Sequence, residues 1–487
     1  MRLACGPEGA TLPDSDGILR VVLYGQPRDE GEGSAGDAAK SEIQRRRLDP
    51  APRAWDLLSI ALSVVTADFA VLRDKSPDGW TREIELDIAV ADAPFWNGQA
   101  LALAEALAFL TTDRWTLRFH EGGMLPTPPR EPLRPPESCV VLLSGGLDSL
   151  IGSIDLTAAG HKPFAISQTV RGDADKQVDF AAKIGGGLGH LQLNHNAHTP
   201  GVQEASQRAR SLVFITFGVI AATALKAYRE VAELPLFVCE NGFIAINPPL
   251  TGGRLGSLST RTAHPEFLSR LQKVLDAAGL RVRITNPYAT KTKGEMLKEC
   301  ADQKLLCVEA ARSTSCGRFQ RFNYRQCGRC VPCQVRRAAF LAWDSTQDTT
   351  DYVYEQIGKD DADHSGFDDV RSVAIALAAI KAEGVEGWLG HALASPFIAD
   401  RPALIGMLER GLEELRALHR AYASNDRLSR ASGPVWRSAH GSARMCRSRS
   451  LCSFRNDNAL GVVRNGCAGK GCAANQDRTR PPPPNRA

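Results

Sequence analysis

No apolar run in the 487-residue chain is long enough to cross a bilayer: the longest, Leu212 to Leu225, covers 14 residues before Lys226, against about 20 required. The opening residues, Met1-Arg2-Leu3-Ala4-Cys5-Gly6-Pro7, lack the apolar stretch of a secretion signal, so a cytoplasmic protein without membrane attachment is expected. Glycine and proline, at 43 and 28, are not in excess, and charged residues are an ordinary 23%, which excludes collagen-like and wholly disordered chains. No internal repeat is evident. Net charge is small as well, with 59 Lys and Arg against 55 Asp and Glu. Its distribution says more: residues 431–487 carry 10 basic and 2 acidic residues, a net of +8, leaving 49 against 53, a net of −4, on residues 1–430. The folded part is mildly acidic, and electrostatic attraction to nucleic acid is confined to a basic tail.

What the chain does have is 13 cysteines. In a reducing compartment they read as metal ligands and buried thiols rather than disulfides.

Between Pro126 and Pro136 six of eleven residues are proline, which denies the backbone the N–H donors of helix or sheet and marks a stiff linker over 126–137. Upstream, residues 1–125 read as an α+β accessory domain, with strands at Gly17–Tyr24, Arg82–Val90 and Trp115–His120 and helices at Ala54–Val65 and Asn97–Leu110. Downstream, over 138–345, short apolar runs alternate with helical stretches, as in a doubly wound parallel α/β sheet. The strands expected there are Cys139–Leu143, Pro163–Ser167, Leu191–Leu193, Leu236–Cys239 and Val282–Thr285. The expected helices are Leu147–Ala159, Ala174–Leu188, Ala205–Arg229, Pro265–Ala278 and Lys293–Gln303. Residues 346–430 form a C-terminal helical region with amphipathic pieces at Val370–Ala382 and Pro402–His419, and residues 431–487 lack periodicity and read as disordered.

Directly after the first of those downstream strands stands Ser144-Gly145-Gly146-Leu147-Asp148-Ser149, where a helix begins. Small residues at the carboxyl end of a parallel strand let backbone N–H groups converge, and the helix N-terminus adds positive charge, which together suit a pyrophosphate. Ser144 and Ser149 can donate hydroxyls to phosphate oxygens, and Asp148 is the natural carboxylate for Mg²⁺. Further on, Cys316, Cys327, Cys330 and Cys333 have the spacing C-x10-C-x2-C-x2-C, which suits one tetrahedral Zn²⁺ with no open position; an iron–sulfur cluster is the rival. Cys139, Cys239, Cys300 and Cys307 read as small buried hydrophobes, and Cys446, Cys452, Cys467 and Cys472 of the tail are too loosely spaced to form a second site. The Asn194-His195-Asn196-Ala197-His198 cluster reads as a solvated loop.

The Ser144–Ser149 string resembles the PP-loop of the N-type ATP pyrophosphatases (adenine nucleotide alpha hydrolase-like), which cleave ATP between the α and β phosphates and transfer AMP to a substrate oxygen. With the cysteines about 170 residues later, the pair resembles the 7-cyano-7-deazaguanine synthase (QueC) family over Ser138 to Trp343. Ser315-Cys316, Cys327-Gly328-Arg329-Cys330-Val331-Pro332-Cys333 and Arg336 look like that family's zinc loop. Pro265-Glu266-Phe267 and Thr292-Lys293-Gly294-Glu295-Met296 fall where it has matching segments, and Arg210 resembles the arginine of its Gly-Arg-Asn segment. The resemblance implies ATP, Mg²⁺ and Zn²⁺, catalytic roles for Asp148, Lys293 and Arg210, and adenylation of a deazaguanine carboxylate followed by amide formation; Lys293 would sit near phosphate or the developing oxyanion.

The sequence departs from the synthases on the substrate side: Ser167-Gln168-Thr169-Val170-Arg171-Gly172 replaces an aromatic, Gly- and Gln-containing segment, and Thr262 or Ala263 stands where an acidic residue is expected. Glu240-Asn241-Gly242, Asn247-Pro248-Pro249-Leu250-Thr251 and Leu258-Ser259-Thr260-Arg261-Thr262-Ala263-His264-Pro265 look instead like the QueC-like proteins of the Qat anti-phage system (QatC), in which a partner protein could supply the amine. His264 would lie beside the acceptor, as base-edge contact or proton carrier, or would simply cap a helix. The alternatives are a synthase in queuosine biosynthesis, a tRNA-modifying PP-loop enzyme, and a non-catalytic ATP-sensing subunit of a defence complex.

Overall fold

The chain is represented by a computed structural model that describes residues 1–13, 15–251, 261–357, 369–389, 393, 395–398 and 400–431. The Leu258-Ser259-Thr260 string and the basic tail with its four cysteines lie outside the described residues.

Two five-stranded sheets, both wholly parallel, make up the described β-structure. The first contains β1 (Arg2–Gly6), β2 (Ile18–Leu23), β3 (Gly33–Ala35), β4 (Glu83–Ala89) and β5 (Arg114–His120) in the order β3-β2-β1-β4-β5. The second contains β6 (Cys139–Leu142), β7 (Pro163–Gln168), β8 (Gly189–Leu193), β9 (Leu234–Phe237) and β10 (Val282–Thr285) in the order β10-β9-β6-β7-β8. The parallel α/β expectation for the second sheet holds. The α+β expectation for residues 1–125 does not: that region is itself a parallel α/β sheet. Its central strand, β1, carries Arg2 at one end and Gly6 at the other, and β3 has only three residues, so neither shows a readable pattern.

The helices are α1 (Asp37–Arg45), α2 (Pro52–Ala70), α3 (Ala93–Thr111), α4 (Leu147–Ala158), α5 (Ala174–Lys183), α6 (Arg210–Ala224), α7 (Gly242–Ile246), α8 (Pro265–Ala277), α9 (Lys293–Glu299), α10 (Gln303–Glu309), α11 (Val331–Trp343), α12 (Asp369–Leu389) and α13 (Arg401–Ala431). The single helix expected over Lys293–Gln303 breaks at Cys300, whose backbone is extended, and Asp302 caps the second piece by accepting from Leu305 N–H. The helix expected from Ala205 starts at Arg210, because Asp68 of α2 accepts the N–H groups of Arg208 and Ala209 at 2.6 and 2.8 Å and caps it from another part of the chain.

α2 and α6 are apolar nearly all round, and that pattern finds its place between the sheets. α2 covers the first sheet, α6 covers the second, and the two helices lie against each other, so Leu57, Leu58, Leu212 and Val219 belong to one continuous core. The 14-residue apolar run of the sequence is thus mostly the buried α6. Among the described residues no helix is long and apolar enough to cross a membrane. Pro126–Pro136, mostly exposed, joins the two sheets along the chain and is tied down by Leu133 N–H donating to Arg47 O at 2.8 Å and Lys226 N–H donating to Pro135 O at 3.0 Å.

The Asn194–His198 segment, expected from its polarity to be a solvated loop, is only partly so: His198 is exposed, but His195 is buried and the segment docks on the first sheet. Asn196 Oδ1 accepts from Gly36 and Ala38 N–H, and His198 exchanges backbone hydrogen bonds with Ser34. His195 is buried, and its Nδ1 accepts from Ala197 N–H at 3.0 Å. His264, also buried, caps α8 through Nδ1 accepting from Glu266 N–H at 3.2 Å and packs against Phe109. Burial pushes the imidazoles of His195 and His264 down to about 4. Because the unfolded chain titrates near the ordinary value of about 6.5, it binds protons that the native state refuses between those pH values, and stability falls as pH falls through that window, by up to about 1.4 kcal/mol per unit for each histidine. The urea midpoint is therefore expected to drop from pH 7 to pH 5, with a shallower slope in His195→Asn and His264→Asn variants. A midpoint flat over this range would contradict the assignment.

Candidate functional site

In the second sheet the chain direction across the sheet reverses between β6 and β9, and the crevice outside the carboxyl ends of those strands is where open α/β sheets bind ligands. A cavity of about 250 Å³ lies there. Ser144, Gly146, Leu147, Asp148 and Ser149 of the loop after β6 line it, with Glu240 from the end of β9, Lys293 from the start of α9, and Thr314 and Ser315 from the segment before Cys316.

The loop folds on its own hydroxyls. Ser149 Oγ accepts from Ser144 N–H at 3.2 Å and donates to Gly146 O at 3.0 Å, while Ser144 Oγ accepts from Gly146 N–H at 3.2 Å. Gly145 turns the chain at φ 83°, a conformation in which a side chain would be strained. The first N–H groups of α4 have no intrahelical acceptor and point to where an anion would sit. From outside, Thr314 N–H donates to Gly145 O at 3.0 Å and Thr314 Oγ1 donates to Asp173 Oδ1 at 2.6 Å. Gln177 Nε2 donates to both Ser144 O and Gln168 O.

Asp148 is buried at 5% exposure, and so is Lys293. The Lys293 ammonium donates to Asp148 Oδ1, and Asn241 donates to Asp148 Oδ2 through both N–H, at 3.2 Å, and Nδ2, at 2.7 Å. Burial pushes the Asp148 carboxyl up, but the Lys293 charge and the hydrogen bonds from Glu240, Lys293 and Asn241 outweigh it and hold it below the ordinary carboxylate range. Glu240 goes the other way: burial first, then the charge of Asp148, raises it well above its ordinary value. The proton is thus held more tightly on Glu240 than on Asp148, a division that suits two adjacent carboxyls to act as acid and anion.

The structure brings Ser144, Gly146, Leu147, Asp148, Ser149 and Lys293 to one cavity, with Gly145 in the same loop. Arg210 is not among the residues lining it. It opens α6 near Asp68 and His195, half-buried, with burial lowering its affinity for the proton. Asn241, Glu240 and Thr314 are members that the sequence reading gave no role. Asn241 and Glu240 could have been found from their position just past a parallel strand; Thr314 carries no local signal.

Cys316, Cys327, Cys330 and Cys333 converge, with their four Sγ atoms within 4.8 Å of one another. Four thiolates bound at ~2.3 Å to a tetrahedral ion sit ~3.8 Å apart, and the Cys316–Cys330 and Cys327–Cys333 pairs stand at 3.9 and 3.8 Å. Backbone N–H groups of Arg318, Cys327, Arg329 and Cys330 point at Sγ atoms of Cys316 and Cys327, as suits thiolates. The set fits Zn²⁺; an iron–sulfur cube would hold its sulfurs farther apart. Arg336, fully buried on α11, donates to Ser313 Oγ, Ser315 Oγ and Ala310 O, and so fixes the strip that carries Thr314 to the phosphate loop. Of the other cysteines, Cys139, Cys239 and Cys300 are buried as expected; Cys307 is exposed, on the outer face of α10.

Residues 262–344 match the family described as queuosine biosynthesis protein QueC. This part of the chain is QueC-like. The 7-cyano-7-deazaguanine synthase of Methanocaldococcus jannaschii is 36% identical over 91 residues, which make up 18% of this chain and 39% of the synthase. The chain thus spans about two fifths of the length of the curated relative it matches. The QueC-like segment contains Lys293 and all four clustered cysteines, while the Ser144–Ser149 loop lies before it.

Proposed function

We propose that the chain is an ATP-dependent ligase of the QueC-like type that adenylates a carboxylate, a 7-deazaguanine carboxylate, and then joins it to an amine, in bacterial anti-phage defence. The observation that carries this reading is the cavity at the β6–β9 reversal, where a phosphate-type loop, an ionised Asp148 and Lys293 converge. In the first step a substrate carboxylate oxygen attacks the α phosphorus of ATP, the α–β phosphoanhydride bond breaks and pyrophosphate leaves. In the second the amine nitrogen attacks the acyl carbon, AMP leaves and the amine loses a proton. The α4 N-terminus and Lys293 would receive the phosphates, Asp148 would hold Mg²⁺, which neutralises phosphate charge when bound, and Glu240 is placed to give or take the proton. The QueC-like segment and the synthase named above support the deazaguanine class of substrate. The departures at Ser167–Gly172 and at Thr262 or Ala263, on the substrate side, support an amine other than that of the synthases.

The test is to incubate the purified protein with labelled ATP, a 7-deazaguanine carboxylate and the products of its neighbouring genes. AMP and pyrophosphate release that requires the deazaguanine is expected. Release indifferent to it would sink the substrate assignment, and ADP as the product would sink the adenylation step.

A further inference from the structure

α13 lies beyond the QueC-like segment and contributes no lining residue to the cavity. It nevertheless touches both pieces of chain that hold Asp148. On the Lys293 side, Glu414 Oε1 accepts from Thr292 Oγ1 at 2.5 Å, and the Glu414 carboxyl also accepts from Gly294 N–H. These are the residues immediately before and after Lys293. A Cβ at Gly294 would fall 2.4 Å from Glu414 Oε1, so only glycine lets the carboxylate approach this closely. One turn earlier, Arg410 donates to Glu295 Oε1 at 2.5 Å and to Thr290 O at 2.9 Å. On the Asn241 side, a Cβ at Gly411 would fall 2.4 Å from the Phe243 ring, and one at Gly242 would fall 2.9 Å from Met407 Cε. The helix is thus pressed against the start of α9 and against α7 at once.

We propose that Glu414 is a positioning residue: it fixes the backbone on either side of Lys293 so that the ammonium reaches Asp148, and makes the C-terminal helix a working part of the reaction centre. A lysine side chain is long and flexible, and its direction is set by where its Cα is held. Thr292 already shares a capping box with Glu295, each side chain accepting from the other's N–H at 3.1 and 2.8 Å; Glu414 of α13 adds the hold from outside the helix, on both sides of Lys293.

The claim about geometry stands apart from the proposed reaction, and only its activity arm rests on that reading. The first readout is therefore the acetylation of Lys293 by acetic anhydride in the full-length protein, followed by mass spectrometry, with the exposed Lys162 as internal reference. Lys293, buried and ion-paired, should label slowly. Glu414→Ala removes the acceptor of two hydrogen bonds and should speed Lys293 labelling roughly tenfold, with Lys162 unchanged. Glu414→Gln keeps an acceptor oxygen in place and should label within about twofold of wild type. Glu413→Ala, on the exposed face beside it, should change nothing. In the activity arm, Glu414→Ala should lower the kcat for AMP formation more than it raises KM for ATP, and Glu414→Gln should restore it. Unchanged Lys293 labelling in folded Glu414→Ala, or Glu414→Gln labelling as fast as Glu414→Ala, would overturn the proposal. Should Glu414→Ala fail to fold, Glu414→Asp, which withdraws the carboxylate by one methylene, takes its place with the same criterion. A labelling pattern as expected in a protein that makes no AMP would leave the positioning role standing and reject the adenylation reading.

Discussion

Lys293→Met is expected to lower stability by about 3–5 kcal/mol, the cost of stripping a buried carboxylate of its ion partner, and to reduce AMP formation by roughly 10²- to 10³-fold. The two effects have one origin. Asp148 is enclosed at 5% exposure and depends first on the Lys293 charge, then on hydrogen bonds from Glu240, Lys293 and Asn241, to stay ionised against burial. Without Lys293 it would either remain as an uncompensated charge or take up a proton, and in the latter state it could hold neither a cation nor the partition that keeps a proton on Glu240. Asp148→Asn should be comparably damaging, since it strands the ammonium instead. The double variant separates the consequences: with both charges gone the urea midpoint should rise above that of either single variant, while AMP formation stays lost. Wild-type stability in both single variants would show that the pair is not formed in solution.

Removing the metal is the second large perturbation. The protein is expected to purify with about one zinc per chain, and Cys330→Ser should lose it together with solubility, because apparent binding energies of about 10–16 kcal/mol in zinc-finger peptides are also folding energies. The effect should reach the nucleotide. Cys316 is two residues from Thr314, whose N–H holds Gly145 O of the phosphate loop, and Thr314 and Ser315 line the cavity. Mild chelation that leaves the sheets folded should therefore weaken ATP binding, measured by calorimetry on the chelated and reconstituted protein. Equal affinity in the two forms would show that the cysteine site stabilises only itself, and a brown, iron-containing protein would refute zinc.

The second sheet could be read from the sequence because parallel strands buried on both faces are nearly continuous apolar runs, as at the fully buried Cys139–Leu142, and the loop after that strand announced itself by composition; the half-buried edge strand Val282–Thr285 matches its expected bounds to the residue. The first sheet could not be assembled in the same way. β1 is five residues with charge and glycine at its ends, and without it β2 and β4 have no evident neighbour. The two errors in helix bounds have different causes: a cap supplied from a distant segment, as Asp68 does for α6, and a local break at Cys300 with Asp302 starting the next helix. Within the site, residue type and spacing identified Asp148 and the four cysteines, whose chemistry depends on local strings. Asn241, Thr314 and Glu414 act by reaching across the fold, and no local string encodes such reach. The polar Asn194–His198 segment misled for the same reason: its partners, Ser34 and Gly36, are about 160 residues away.

The contact between α2 and α6 also bears on the order in which the protein can be made. The first 137 residues emerge from the ribosome carrying α2, a helix of which 16 of 19 residues end up buried, yet the surface that covers its far side, α6, is not synthesised until residues 210–224. For that interval the first sheet has one unfinished wall, with apolar surface on α2 that has no partner yet. A nascent chain stalled before Arg210 is therefore expected to aggregate more readily than one stalled beyond Ala224, where α6 is complete.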